Sequence, residues 1–215
     1  MSSSETPVET PRLAISQLRR IRRIVDAAVE LAERGGFEGV RLRDVAEASD
    51  VSLGTLYKYF QSKEDILLFA INEGNERLEA AMAERPARGD TAVERVSAFF
   101  TRATRGLTQR PHFARAALRS IASSDATMAA RQASYHLRIS RIIIATMAGE
   151  APDLGRPLSE PVGTPRQREL ALVLEHVWFA SLLGWASGLH PAARVQERMA
   201  STAALLLGEG ALPPR

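Results

Sequence analysis

Two short helical patterns joined by a tight turn, within residues 42–60, constrain the fold of this chain more than any other feature. The first pattern covers about 42–49 and the second about 53–60, and each has a small apolar face. The sequence at 49–52 predicts a turn between them, because its aspartate tolerates a positive φ and Ser52 is a good N-cap. Two short helices that meet at a steep angle across such a turn form a helix-turn-helix.

The rest of the chain also follows a helical period. Apolar residues recur at spacings of three and four, and no segment alternates as a strand does. A first helix is expected to end at the pair Gly35-Gly36, because glycine adopts the left-handed conformation that terminates helices. Ser62 can cap a helix that reaches about residue 84. Further helices are expected near 91–109, 111–122, 125–149, 166–189 and 191–208, with a Pro- and Gly-rich loop at 151–165. The pattern predicts an all-α fold.

The composition excludes several classes of protein. The chain has no cysteine, so disulfides and thiolate chemistry are excluded. The first residues lack the apolar core of a secretory signal, and no run reaches the roughly 18 apolar residues that span a bilayer. We therefore expect a cytoplasmic protein that makes no contact with a membrane.

No catalytic or metal-binding motif is found in the sequence. The four histidines, His112, His136, His176 and His190, form no pair at i, i+4 spacing. Nucleophile elbows, phosphate-binding loops and dinucleotide fingerprints are also missing. The sequence therefore predicts neither an enzyme nor a bound metal or cofactor.

The distribution of positive charge is more informative than its total. A net charge of +3 does not by itself indicate a partner. However, the chain has only two lysines, Lys58 and Lys63, and both lie within or directly after the second short helix. Four arginines cluster in the first helix, where they could also form an ordinary solvated face: Arg19, Arg20, Arg22 and Arg23.

The segment RLRDVAEASDVSLGTLYKYFQSK, residues 41–63, resembles the DNA-binding domain of the TetR family of bacterial transcriptional regulators. The resemblance covers about residues 17–70. The matching positions are Arg43, Asp44, Val45, Ala46, Ala48, Val51, Ser52, Gly54, Thr55, Leu56, Tyr57, Tyr59, Phe60, Ser62, Lys63, Glu64 and Leu67. Two positions depart from the family pattern: Asp50 stands where glycine is usual, and Arg41 precedes the second helix where a threonine often caps it.

The resemblance implies which residues contact double-stranded DNA. Arg43 would read a guanine edge, which suits a bidentate guanidinium. The residues that would face the bases are Ser52, Leu53, Gly54, Thr55 and Lys58. Those that would hold phosphates are Tyr57, Tyr59 and Lys63, and Arg41 could reach a further phosphate. From the residues alone, either tyrosine could instead be a packing residue, and Lys63 could lie in solvent.

The resemblance also implies how the chain is organised. We expect a flexible arm at 1–14, a helix-turn-helix DNA-binding domain at 15–63, a linking helix at 64–85, and a helical effector-binding and dimerisation domain at 86–215. Small residues along 166–189 would let a partner helix approach closely. This helix and the one at 191–208 could therefore form the four-helix interface of a homodimer.

Two segments of the rear domain suggest an effector. HVWFASLLGW at 176–185 and TQRPHFARAALRS at 108–120 are similar to TetR repressors of sterol and cholesterol catabolism in actinobacteria. Those repressors bind CoA thioesters, which implies a bulky hydrophobic or CoA-thioester effector. Its pocket should be largely apolar. We expect the pocket to be lined by Phe99, Phe100, Leu107, Phe113, Met147, Trp178 and Leu182, with Arg102 or Arg119 meeting a phosphate or carboxylate.

The sequence thus predicts a DNA-binding regulator, a repressor that a small-molecule effector releases from a palindromic operator. An activator would have the same sequence pattern. The alternative is an all-α lipid carrier or enzyme whose N-terminal resemblance is incidental. That alternative would require a polar catalytic constellation in the rear domain.

Overall fold

The computed structural model of the protein describes residues 10–123 and 129–208. Within these ranges it contains nine α-helices and no strand, which confirms the all-α prediction. The helices are α1 (Thr10–Gly39), α2 (Leu42–Ala48), α3 (Leu53–Tyr57), α4 (Lys63–Glu84), α5 (Ala92–Thr108), α6 (Pro111–Ser123), α7 (Ala129–Ala148), α8 (Pro165–Ala186) and α9 (Ala192–Leu207).

The first helix begins earlier than its apolar pattern predicts. α1 starts at Thr10, so the last residues of the expected arm at 1–14 are helical, and 1–9 lie outside the described residues. Pro11 permits this start, because a proline in the first turn removes only an N–H that has no helical partner. Gly36 interrupts the helix with φ 61° and ψ −160°, as the glycine pair predicts.

Two hydrophobic cores organise the molecule. The front core joins α1 to α4 with one residue of α6, and consists of Ile24, Val25, Ala28, Ala32, Val40, Val45, Ala46, Leu56, Phe60, Ile66, Leu67, Ala70 and Ala116. The rear core is built from α4 to α9. On α4, Ile66 and Leu67 belong to the front core, whereas Leu68 and Ile71 belong to the rear core. α4 therefore connects the two cores as one continuous helix.

A buried ion-pair network fixes α4 to α7. The carboxylate of Glu79, which is 1% exposed, accepts a hydrogen bond from Nε of Arg141 at 2.8 Å and another from the guanidinium of Arg138. Arg138 also donates to the exposed Glu76 at 2.9 Å, and Arg141 donates to the carbonyl oxygen of Arg156 at 2.5 Å. A carboxylate withdrawn from water needs such partners, because an unpaired buried charge is strongly destabilising.

A second buried carboxylate joins α7 to α8. Oε1 of Glu175 lies 2.6 Å from Nδ1 of His136, and Glu175 is almost fully buried. The hydrogen bond to Glu175 raises the pKa of His136, although burial alone would lower it. The two helices are therefore linked by a polar contact within the rear core.

The segment predicted as a loop at 151–165 is a loop up to residue 164, where Thr164 caps α8, and it packs against the helices around it. Arg95 of α5 donates to the carbonyl oxygens of Thr146 and Met147 at 3.1 and 2.8 Å, which satisfies the end of α7. Gly163 has φ 68°, and a Cβ there would lie 2.7 Å from Cγ2 of Ile144. Glycine is required at this position for both reasons.

α8 is the one helix in the described ranges that is long and apolar enough, by length and composition, to cross a bilayer. Its residues Leu174, Trp178, Leu182 and Trp185 are buried in the rear core. The rear core therefore accounts for the buried part of this apolar helix, which is 39% of its 18-residue apolar stretch.

Candidate nucleic-acid interface and ligand cavity

The turn between α2 and α3 has the geometry that the sequence predicts. Asp50 adopts φ 53°, and it is the one non-glycine residue with a positive φ among those described. Ser52 caps α3, since its Oγ accepts the N–H of Thr55 at 3.1 Å. Regular α3 ends at Tyr57, and a turn extends it to Phe60, whose ring enters the front core. The second short helix thus packs against the front core through its buried face.

Most of the predicted DNA-contacting residues lie on the exposed side of this motif. The exposed ones are Arg41, Arg43, Ser52, Gly54, Tyr57 and Lys58, while Leu53 and Thr55 are half-buried. The hydroxyls of Ser52 and Thr55 share a hydrogen bond of 2.9 Å. Val45 and Leu56 are buried on the opposite side. A duplex could therefore reach the hydroxyls and the cations of α2 and α3 without any rearrangement of the front core.

Tyr59 and Lys63 are held by other side chains and backbone of the protein. Arg20 donates to the hydroxyl of the half-buried Tyr59 at 3.3 Å. Nζ of Lys63 donates to the carbonyl oxygen of Phe37 at 3.0 Å, and lies 3.8 Å from the centroid of its ring and 3.6 Å from Glu38. The sequence predicts a phosphate contact or a solvent position for Lys63, whereas its ammonium is bound by groups at the end of α1. A phosphate contact by Lys63 requires its ammonium to leave the end of α1.

The arginines of α1 extend the cationic surface next to the motif. Arg19, Arg20 and Arg23 line a groove along α1, and Arg23 reaches the carboxylate of Asp50 at 3.4 Å. The sequence shows that these arginines form a cluster. The packing of α1 on the front core shows, in addition, that the cluster lies beside the turn between α2 and α3.

A cavity of about 1050 Å³ lies where α1 and α4 meet the rear helices. Its apolar wall includes Val25, Ile71, Leu78, Leu107 and Trp178, which come from α1, α4, α5 and α8. This volume is at the upper end of the range for small-molecule sites in proteins. The cavity is therefore large enough for a bulky ligand.

The cavity wall includes only part of the predicted lining. Leu107, Phe113 and Trp178 border the cavity. Phe99, Phe100, Met147 and Leu182 do not; they lie in the rear core. The rings of Phe99 and Phe100 are fully buried with centroids 4.9 Å apart, so these side chains belong to the rear core. An apolar period shows that a residue is buried, but not that it borders a void.

Charged side chains also line the cavity, and arginines outnumber acids five to three. The arginines are Arg22, Arg77, Arg102, Arg105 and Arg110, and the acids are Asp26, Glu30 and Glu73. Arg22 lies 3.1 Å from both Asp26 and Glu73, and Arg110 lies 2.8 Å from Glu30. The surplus of positive charge favours an anionic group on any ligand that binds there.

The two arginines predicted to meet an anion are placed differently. Arg102 lines the cavity and donates to the carbonyl oxygens of Arg85 and Ala81 at 3.0 and 3.3 Å. Arg119 does not line it; its guanidinium pairs with Glu38 at 2.9 Å. The predicted pocket did not include residues of α1, because the sequence does not reveal that α1 forms one wall.

Comparison with known proteins places both parts of the chain in one family. Residues 24–69 match bacterial regulatory proteins of the tetR family, and residues 89–206 match the tetracyclin repressor-like C-terminal domain. The chain is 32% identical over 199 residues to the HTH-type transcriptional repressor KstR of Rhodococcus jostii, covering 93% of this chain and 88% of that protein. It is 31% identical over 193 residues to KstR of Mycolicibacterium smegmatis, covering 90% and 89%.

Solved structures share the same fold. A TetR transcriptional regulator from Rhodococcus sp. RHA1 superposes with a TM-score of 0.75 at 22% identity, covering 89% of this chain and 97% of that one. FadR of Thermus thermophilus, a TetR-family repressor in complex with lauroyl-CoA, superposes with a TM-score of 0.67 at 22% identity, covering 91% and 100%. The arrangement of helices is therefore one that other DNA-binding regulators adopt.

Proposed function

Because the chain belongs to the tetR family of bacterial regulatory proteins, we propose that it is a transcriptional repressor which an anionic, largely apolar effector releases from its operator. It would bind a palindromic duplex as a homodimer, with one α3 in each of two major grooves. The residues that would contact DNA are those on the exposed side of the motif, Arg41, Arg43, Ser52, Leu53, Gly54, Thr55, Tyr57 and Lys58, together with Tyr59 and Lys63 after rearrangement. The operator lies in the cytoplasm, where we expect the protein to act.

The position of the cavity is the observation that most supports this proposal. Its wall contains Arg22, Val25 and Glu30 of α1 together with residues of four rear helices. A ligand bound there would therefore contact the DNA-binding domain directly. Ligand affinity and operator affinity must be linked if the ligand prefers one position of α1 over another.

Contacts between α6 and α1 offer the route for this linkage. Arg110, just before α6, pairs with Glu30, and the backbone N–H of Phe113 donates to Oε2 of Glu33 at 2.9 Å. Arg110 and Phe113 both line the cavity. A ligand that displaces either residue would shift α1 and change the spacing of the two recognition helices. A coupling of about 1–3 kcal/mol would weaken operator binding roughly 5- to 150-fold.

An acyl-CoA is the effector class that we propose. Two FadR proteins with the same fold have been solved with an acyl-CoA bound. The Thermus thermophilus protein is in complex with lauroyl-CoA, and the Bacillus subtilis protein is in complex with stearoyl-CoA. In this chain, the apolar wall of the cavity would hold the acyl group. The arginines would meet the phosphates of CoA, and Arg102 and Arg105 make no ion pair with a carboxylate among the described residues.

The exposed side of α8 and α9 is the surface that we propose for the homodimer. Leu172, His176 and Ala180 form an exposed stripe at i, i+4, i+8 spacing on α8, and Leu205 is exposed on α9. The two helices pack side by side. Two such pairs of helices would bury the apolar side chains of this surface, Leu172, Ala180 and Leu205, in a four-helix interface.

Release from DNA is the direct test of this function. Fluorescence anisotropy of a labelled duplex from upstream of the protein's own gene would be measured while lauroyl-CoA is added. We expect the anisotropy to fall with lauroyl-CoA and to stay unchanged with free CoA, which lacks the acyl group. If lauroyl-CoA binds the protein but leaves the DNA complex intact, the proposed release is wrong.

Replacing Arg43 should reduce both affinity and sequence preference. Arg43 is exposed on the first turns of α2, where a bidentate contact with guanine is worth about 1–3 kcal/mol of discrimination. Arg43→Ala should therefore weaken binding to the operator more than binding to a scrambled duplex. Arg88→Ala, at an exposed position in the loop after α4, is the control and should change neither. Equal losses on both duplexes would assign Arg43 to a phosphate instead.

A further inference from the structure

The amide of Asn75 is buried in the cavity wall without a partner. Asn75 lies on α4, is 7% exposed and lines the cavity. Its Nδ2 makes no hydrogen bond with any residue in 10–123 or 129–208. A buried donor that is withdrawn from water and left unpaired lowers the stability of a folded protein. Native structures retain only a few such groups in roughly every 100 residues, and one that lies on a cavity wall points to a ligand that completes it.

Tyr135 contributes a second polar group to the same cavity. Its side chain, on α7, is almost fully buried and lines the cavity. Its hydroxyl forms no hydrogen bond within the described part of the chain. Burial and the nearby Glu175 raise the pKa of Tyr135, so the hydroxyl keeps its proton and can donate. By contrast, the indole N–H of Trp178 already donates to Oγ1 of Thr104 at 3.0 Å.

We propose that Asn75 and Tyr135 bind a carbonyl oxygen of the effector, each donating one hydrogen bond to it. A carbonyl oxygen has two lone pairs and can accept both. The neighbouring wall, with Ile71, Leu78 and Leu107, is apolar and suits the carbon skeleton on either side. This inference rests on the proposed function, because it names the group by which the same cavity recognises its ligand.

Discrimination against ligands without the oxygen follows from this arrangement. A purely hydrocarbon ligand would leave Asn75 unpaired and would cover the hydroxyl of Tyr135 without offering it an acceptor, so it should bind more weakly than a ligand with a carbonyl oxygen. Either a thioester carbonyl or a ketone within the apolar skeleton would satisfy the donors. Both groups offer the same acceptor, a carbonyl oxygen. Two probes are therefore used to distinguish a thioester from a ketone.

The first probe pair is lauroyl-CoA and S-dodecyl-CoA, a thioether that differs only in having CH₂ in place of the carbonyl. Isothermal titration of the full-length protein should show that lauroyl-CoA binds roughly 10-fold more tightly, about 1.4 kcal/mol. In Asn75→Leu this preference should disappear. Asn72→Leu is the matched control, because it makes the same change one turn away on α4 at a residue outside the cavity wall. It should keep the preference.

The second probe is Prodan, a naphthyl ketone without CoA, whose emission shifts to the red when its carbonyl accepts a hydrogen bond. Bound to the wild-type protein, it should show this shift, and Asn75→Leu and Tyr135→Phe should each reduce it. A carbonyl preference with the CoA pair alone would identify the thioester as the group that is read. An effect with Prodan alone would identify a ketone in the skeleton.

The melting temperature of Asn75→Leu distinguishes a role of Asn75 in ligand binding from a role in stabilising the fold, because the two roles predict changes of opposite sign. Asn75→Leu should melt at the same temperature as the wild type or higher, because it removes an unpaired buried amide. A lower melting temperature together with unchanged carbonyl preference would show that Asn75 serves the fold, and would overturn the inference.

If the wild type binds both CoA compounds equally and Prodan shows no Asn75-dependent shift, the inference fails while acyl-CoA binding stands. If Prodan shows the effect and neither CoA compound binds, the inference stands and the acyl-CoA proposal fails.

Discussion

The Glu79→Gln variant should lose about 3 kcal/mol or more of its free energy of unfolding. Glu79 is the shared acceptor of Arg138 and Arg141, and Arg141 is itself buried. The substitution keeps the volume of the side chain but removes its charge. Two guanidinium groups, one of them almost without access to water, would then lack a buried counter-charge. This cost should appear as a fall in the melting temperature of at least roughly 6 °C for a chain of this size.

Glu76→Gln is the matched control for this prediction. Glu76 also accepts a hydrogen bond from Arg138, at 2.9 Å, but its side chain is 57% exposed. Exposed ion pairs contribute about 1 kcal/mol at most, so the melting temperature should change little. Differential scanning calorimetry would measure the melting temperatures of both variants. Equal stabilities of the two variants would contradict the role that we assign to burial.

The Leu172→Arg, Leu205→Arg double variant should be monomeric and should lose most of its operator affinity. Leu205 is 78% exposed on α9, and Leu172 belongs to the exposed stripe of α8. Charges at both positions would have to be buried without partners in the proposed four-helix interface. A monomer holds one half-site only, and the loss of the second linked contact weakens binding by roughly 10²- to 10⁴-fold.

Light scattering after gel filtration would measure the mass of this variant, and anisotropy would measure its operator affinity. Leu154→Arg is the control, because Leu154 is also an exposed leucine but lies in the loop between α7 and α8. It should remain dimeric and bind DNA normally. A double variant that stays dimeric would place the interface on another surface.

Local features of this fold could be predicted from sequence because neighbouring residues determine them. Ser52 and Ser62 cap α3 and α4 through the N–H groups three residues ahead, Thr55 and Asp65, each at 3.1 Å. Asp50 takes the positive φ expected in the turn. Each contact lies within a single helical turn, so periodicity and residue type are sufficient to predict it.

The cavity and the buried network could not be predicted, because they depend on residues far apart in the chain. Glu79 meets Arg138 across 59 residues, and Arg110 meets Glu30 across 80. The apolar period of α5 predicts the same inward position for Phe99 and Leu107, but of the two only Leu107 borders the cavity. Asn75 carried no signal in the sequence, since an unpaired amide is recognised only when its surroundings are known.

The salt dependence of DNA binding tests the central claim most directly, that the exposed side of α2 and α3 binds a duplex. Affinity for the upstream DNA would be measured by anisotropy over a range of salt concentrations. With four or more phosphates held, log K against log salt should have a slope of about −4 or steeper, and Lys63→Ala, which removes one phosphate-holding cation, should make the slope shallower by about one. A flat salt dependence, or no binding at all, would contradict the account and favour an all-α ligand carrier.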